Sequence, residues 1–117
     1  MNLKKETLKE LADNGKSWSD ILGVCGNDFQ IDKELFLKLA DREYNDGYGG
    51  EEVACDLKIV GNDFWLERHS YDGSEWWEFK SLPDLSNMKF EKVERVIRES
   101  DYWHTGSLKS LQSKDLW

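Results

Sequence analysis

Residues 53–82, VACDLKIVGNDFWLERHSYDGSEWWEFKSL, decide the fold of this chain. Apolar and polar residues alternate along three runs of this stretch, a period of two that is typical of strands with one buried face. Asp72-Gly73 separates the second run from the third and favours a type I′ hairpin turn, in which both central residues need positive φ. Gly61-Asn62-Asp63 gives a similar turn signal between the first two runs. The stretch therefore predicts three consecutive antiparallel strands.

The two turns set which residues share a face of the predicted sheet. A turn at Asp72-Gly73 places Leu66 opposite Phe79. A turn at Gly61-Asn62 places Ile59 opposite Phe64, and a turn at Asn62-Asp63 changes the partners by two residues but keeps the same faces. The predicted core face consists of Val53, Cys55, Leu57, Ile59, Phe64, Leu66, Trp77 and Phe79.

The opposite face carries the candidate chemistry of the chain. Its predicted members are Ala54, Asp56, Lys58, Trp65, Glu67, His69, Trp76, Glu78 and Lys80. With the first turn at Gly61-Asn62, Asp56, Glu67 and Glu78 form one row across three strands, and His69 pairs with Trp76 beside it. Opposed like charges destabilise a strand pair. The row therefore needs a bound cation, a raised pKa of Glu67 or neighbouring lysines. In the simplest interpretation it is a solvated face compensated by lysines.

Helical patterns flank this stretch on both sides. The sequence predicts a helix over residues 2–13, a short helix that Ser17 caps, and a helix that Asp32 caps and that ends near residue 44. After Pro83, the spacing favours a helix over residues 86–98, with a fourth strand as the alternative. We therefore predict an α+β fold: N-terminal helices on one face of a three- to four-stranded antiparallel meander, with a C-terminal helical segment. We predict one domain, 1–117, with a helical part (1–44), a sheet (51–82) and a C-terminal segment (86–117).

Charge is concentrated in the middle of the chain. The formal net charge is −8, and residues 41–78 hold eleven acidic and three basic residues. Such a surface repels phosphates and attracts basic partners, so we expect no direct nucleic-acid binding. The first helices also fit a helix-turn-helix pattern. However, the helix starting at Asp32 balances its three basic residues with four acidic ones, which disfavours a DNA-recognition role.

The two cysteines, Cys25 and Cys55, form no disulfide framework and indicate a reduced, cytoplasmic setting. They do not lie at zinc-ligand spacing from His69 or His104. The sequence contains no apolar run of the length that a signal peptide or a membrane span requires. We therefore expect no cofactor and no membrane partner.

The run DFWLERHSYDGSEWWEFK, residues 63–80, resembles the central block of small acidic proteins encoded by phages and prophages of Gram-positive bacteria. The resemblance implies an accessory protein in the cytoplasm of a bacterial host, and it carries over no catalytic or cofactor-binding residue. Some small acidic phage proteins inhibit host defence nucleases by presenting carboxylates where DNA phosphates would bind. By analogy, the resemblance implies an inhibitor of a basic host protein.

Three hypotheses of function follow from these patterns. The leading one is a non-enzymatic binding protein that engages a basic protein surface. Its binding residues would be Trp65, Glu67, His69, Trp76 and Glu78, with Tyr48 and Tyr71 at the edges. The second is a small metal-dependent hydrolase built on Asp56, Glu67, His69 and Glu78. The third is a structural or assembly component of a phage particle, which would form a homo-oligomer.

Overall fold

The computed structural model describes residues 1–45, 47, 49–97 and 107–112, and its backbone forms two compact units, Met1–Pro83 and Asp84–Trp117. The first unit contains α1 (Leu3–Asp13), β1 (Ile21–Cys25), β2 (Gln30–Ile31), α2 (Lys33–Ala40), β3 (Lys58–Gly61), β4 (Phe64–Tyr71) and β5 (Ser74–Ser81). The second unit contains a 3-10 turn, Leu85–Asn87, and the short helix α3 (Leu108–Leu111). The predicted α+β class, including the C-terminal helical segment, is confirmed.

The sheet has five antiparallel strands in the order β2-β1-β3-β4-β5. Strands β3, β4 and β5 form the predicted meander. The sheet is wider than the predicted three or four strands because residues 21–31 contribute β1 and β2.

The β4–β5 hairpin has the predicted register. Leu66 lies opposite Phe79, and Arg68 lies opposite Trp77. The turn residues Asp72 and Gly73 have φ values of 52° and 83°, the two positive values that a type I′ turn requires. The local turn signal therefore fixed eight cross-strand pairs correctly.

The first hairpin follows the register of a turn at Asn62-Asp63, so the Gly61-Asn62 register is wrong. Ile59 lies opposite Leu66 rather than Phe64. The cause is at Gly61, the last residue of β3, where an added Cβ would come within 2.1 Å of the Phe64 ring. The Phe64 ring packs directly against Gly61 and leaves no room for a side chain there. Gly61 is therefore the last residue of the strand, and the turn begins one residue later.

Strand β3 begins at Lys58, five residues later than the predicted strand. As a result, Asp56 lies outside the sheet, where its carboxylate accepts a hydrogen bond from the backbone N–H of Asn27 at 2.8 Å. Cys55 is exposed, which corrects its assignment to the core face, whereas Leu57 is buried as predicted.

The predicted second helix is wrong. Ser17 and Asp20 do form a capping box, but it supports only the single 3-10 turn Trp18–Asp20. The chain then enters β1, where Val24 pairs with Ile59 of β3. Pairing with a distant strand thus overrides the local helical spacing. Without a second helix, the helix-turn-helix arrangement does not form.

Helices α1 and α2 have the predicted N-terminal caps. The side chain of Asn2 accepts a hydrogen bond from Lys5 N, and that of Asp32 accepts one from Leu35 N. Helix α2 ends at Ala40, four residues before the predicted end. Both helices contribute to one core, whose buried members are Leu11, Ile21, Val24, Phe36, Ala40, Leu57, Ile59, Phe64, Leu66 and Trp77. The helices therefore cover the predicted core face of the sheet.

The described part of the second unit is largely irregular. Residues 88–95 form neither the predicted helix nor the alternative strand, and the ring of Phe90 is fully exposed. Ser107 caps α3 by accepting a hydrogen bond from Ser110 N. None of the helices in the described ranges is long and apolar enough to cross a membrane.

Candidate functional site

The candidate site is the face of the β4–β5 hairpin that points away from the core. Alternation along β4 and β5 places six of the predicted binding residues on it: Trp65, Glu67, His69, Tyr71, Trp76 and Glu78. We call these six residues the acidic–aromatic face. Tyr48, the seventh predicted binding residue, lies outside the described residues.

His69 joins two carboxylates at the centre of this face. Glu67 and Glu78 are direct cross-strand partners. His69 Nε2 lies 2.8 Å from Glu67 Oε2, and His69 Nδ1 lies 2.6 Å from Glu78 Oε2. Carboxylates only accept hydrogen bonds, so both contacts are hydrogen bonds together only when both ring nitrogens carry a proton. A ring protonated at both nitrogens would place a positive charge between the two carboxylates.

Further contacts hold the two carboxylates in place. The indole Nε1–H of Trp65 donates a hydrogen bond to Glu67 Oε1 at 2.7 Å. This bond and the contact with His69 lower the pKa of Glu67, because both stabilise the charged carboxylate. Lys80 Nζ lies 3.6 Å from Glu78 Oε1. The side chains of this cluster are therefore oriented before any partner binds.

Two aromatic side chains border the cluster and face solvent. Tyr71 is 78% exposed at the turn end of β4, and Trp76, paired with His69, is 37% exposed. Aromatic rings offer a large contact area at a low cost in side-chain entropy. The acidic–aromatic face thus combines rigid apolar surface with oriented carboxylates.

The predicted row of three carboxylates is not formed. Lys58, rather than Asp56, lies opposite Glu67. The row therefore contains one lysine and two glutamates, and Asp56 is engaged with Asn27. Among the described residues, no three His, Cys, Asp or Glu side chains are placed to hold one metal ion.

The sequence analysis did not predict a buried ion network on the core face of the hairpin. Arg68 and Glu75 are charged residues on the core face, and each side chain is only 3% exposed. Arg68 Nη2 lies 2.9 Å from Glu75 Oε1, and Arg68 Nη1 lies 3.4 Å from Glu6 Oε2. The sequence contained one signal for this network, since Arg68 is a charged residue at a core-facing position of the predicted strand.

Neighbouring groups complete this network. The guanidinium donates a hydrogen bond to the hydroxyl of Tyr44, which itself donates to Glu6. Burial lowers the pKa of Arg68, but hydrogen bonds with Tyr44 and Glu75 and the charge of Glu6 raise it overall. Burial and the hydrogen bond to Glu6 raise the pKa of Tyr44. The network keeps its charges paired and ties α1 to the strands behind the acidic–aromatic face.

No protein-family model, curated protein or solved structure matches this chain. The candidate site therefore rests on the geometry and chemistry of its own residues.

Proposed function

We propose that this protein is a non-enzymatic binding protein of phage or prophage type whose acidic–aromatic face engages a basic surface of a bacterial host protein. One observation carries the proposal: the exposed rings of Tyr71 and Trp76 border the hydrogen-bonded Glu67–His69–Glu78 cluster. Trp and Tyr are enriched in binding hot spots, where they form central anchors. Oriented charges next to such anchors favour specific and fast association.

The charge of this region supports a basic protein as the partner. Residues 41–78, which include β3, β4 and most of β5, contain eight more acidic than basic residues. Such a surface repels nucleic-acid phosphates and steers a positively charged protein toward the face. A host nuclease is one such partner, because the surface that binds DNA phosphates is basic. Carboxylates on the acidic–aromatic face would then occupy the place of the phosphates and inhibit the enzyme.

The hydrolase hypothesis receives less support from the geometry. It requires Asp56 beside Glu67 and Glu78, but Asp56 lies with Asn27 outside the sheet. Binding through the acidic–aromatic face requires no such third carboxylate.

An affinity comparison tests the proposal. The tagged full-length chain would be immobilised and exposed to nuclease-treated lysate of a Gram-positive bacterium, beside the face variants Trp76→Ala and Glu78→Gln. Phe29→Ala and Glu34→Gln are matched controls, because both residues are exposed and lie outside the face. Circular dichroism would establish that every variant is folded.

We expect the wild type and both controls to retain the same basic protein, which is released as the salt concentration rises. The face variants should retain much less of it. Equal retention by all five proteins would show that the face is not the binding site. Retention of no basic protein by the wild type would contradict the proposed partner, and a stable homo-oligomer in sedimentation would then favour the assembly hypothesis.

A further inference from the structure

A cleft of about 570 Å³ opens on the helix-covered side of the first unit, away from the acidic–aromatic face. It is bounded by the start of α1, by β2 and α2, and by residues 42–44 and 52–57. Most of its lining is apolar, with Phe36 and Leu57 buried at its base. Its size lies within the range of small-molecule sites, about 300–1,000 Å³. We call this feature the apolar cleft.

Apolar surface at the mouth of the cleft is left in contact with water. Leu39 and Ala54 both line the cleft; Leu39 is 61% exposed, and Ala54 is also exposed. A bound apolar group would cover both side chains and gain the free energy of removing them from water. The apolar cleft therefore favours a ligand with an apolar body.

Most polar groups at the rim already have partners. The carboxylate of Glu43 lies 3.0 Å from the N-terminal ammonium of Met1, and that of Glu52 accepts a hydrogen bond from Asn45 N. The hydroxyl of Tyr44 donates to Glu6. Each of these three rim residues therefore already has an ionic or hydrogen-bonding partner within the protein.

Arg42 is the exception. Its backbone is fixed at the rim, because its N–H donates to Ala40 O at 2.7 Å and its carbonyl accepts from Leu3 N at 3.3 Å. Its exposed guanidinium forms no salt bridge with any residue that the structure describes. A guanidinium presents paired donors that match a carboxylate. Among the described residues, the rim therefore offers one cation without a salt-bridge partner, beside an apolar cleft.

From this combination we propose that the apolar cleft binds a small amphiphile with an apolar body and a single carboxylate. The apolar body would lie between Leu39 and Val53, and the carboxylate would pair with Arg42. This site is independent of the proposed protein-binding face, since the two share no residue.

The test uses decanoate as the probe and decan-1-ol as its uncharged counterpart, both below the concentrations at which they aggregate. Binding to the full chain would be followed by NMR titration of backbone amides. The variants are Arg42→Gln and Leu39→Ser. Lys38→Gln and Leu22→Ser are the matched controls, because Lys38 is exposed on α2, Leu22 is 68% exposed on β1, and neither lines the cleft.

We expect saturable one-to-one binding of decanoate, with shifts grouped around Leu39 and Val53. Arg42→Gln should weaken decanoate binding about tenfold, the loss expected for one hydrogen bond to a charged group, and leave decan-1-ol unaffected. Leu39→Ser should weaken both probes, and the controls neither. Absence of saturable binding would overturn the site. Equal affinity for the two probes, or no effect of Arg42→Gln, would overturn the assigned ligand class.

Discussion

Glu67 and Glu78 lie directly opposite each other in the β4–β5 hairpin, and the imidazole of His69 contacts one oxygen of each, at 2.8 and 2.6 Å. Without a cation between them, two opposed carboxylates would weaken the hairpin. His69 contacts both carboxylates and so links Glu67 to Glu78. The arrangement of the two carboxylates therefore depends on the contacts of one side chain.

Replacing His69 with glutamine should destabilise the protein by about 1 kcal/mol, because Glu67 and Glu78 lose the imidazole that contacts both of them. The free energy of unfolding would be measured by urea denaturation at neutral pH. The same substitution in a Glu78→Gln background, which removes the repulsion, should cost clearly less. Equal losses in both backgrounds would mean that His69 does not act by compensating this pair.

Acidification should remove the stabilisation that comes from Glu67. Its pKa is lowered in the folded protein by the hydrogen bond from Trp65 and the contact with His69, so the unfolded chain binds the proton more tightly. The contribution is present above the pKa of Glu67 in the unfolded chain and is lost as the pH falls through the lower folded value. Glu67→Gln should reduce the acid slope of the unfolding free energy. Identical slopes for wild type and Glu67→Gln would contradict the assignment.

Arg68→Met should destabilise the first unit by roughly 3–5 kcal/mol, because it leaves Glu6 and Glu75 without their buried partner. Urea denaturation and the thermal midpoint would both report the loss. Lys9→Met is the matched control, since Lys9 pairs with Asp13 on the exposed surface of α1 and should change little. A small effect of Arg68→Met would show that the network contributes little to the fold.

Gly61→Ala should destabilise the protein by roughly 1–3 kcal/mol, because the new methyl group would overlap the Phe64 ring. Phe64 cannot move away easily, since it is buried and stacked on Phe79. Gly47→Ala should be nearly neutral, as no atom of the other residues that the structure describes lies within 4 Å of its added Cβ. The thermal midpoints of the two variants would be measured and compared. Equal midpoints would contradict this account of the first turn.

Local patterns were sufficient where a structural element depends on neighbours in sequence. The Asp72-Gly73 turn and strict alternation fixed the β4–β5 register and the residues of the acidic–aromatic face. Asp32 was recognisable as a helix cap because its bond to Leu35 N spans three residues. In these cases the deciding contacts lie within one hairpin or one helical turn.

Local patterns failed where a distant segment decided the outcome. Ile21 and Val24 are three residues apart, which fits a helix, but both are buried in β1, which pairs with β3. The first hairpin had two registers that kept the same faces, and contact between Gly61 and the Phe64 ring selected one of them. That selection moved Lys58, instead of Asp56, opposite Glu67.

By itself, the sequence determined the α+β class, the β4–β5 hairpin and the six described residues of its acidic–aromatic face, because turn chemistry and alternation act over a few residues. Only the tertiary structure decided the pairing of β1 with β3, the ion network of Arg68 and the apolar cleft. Arg68 and Glu6 are 62 residues apart, and Asn27 and Asp56 are 29 apart. No local pattern specifies which distant backbone and charged groups meet, since that depends on how the whole core packs.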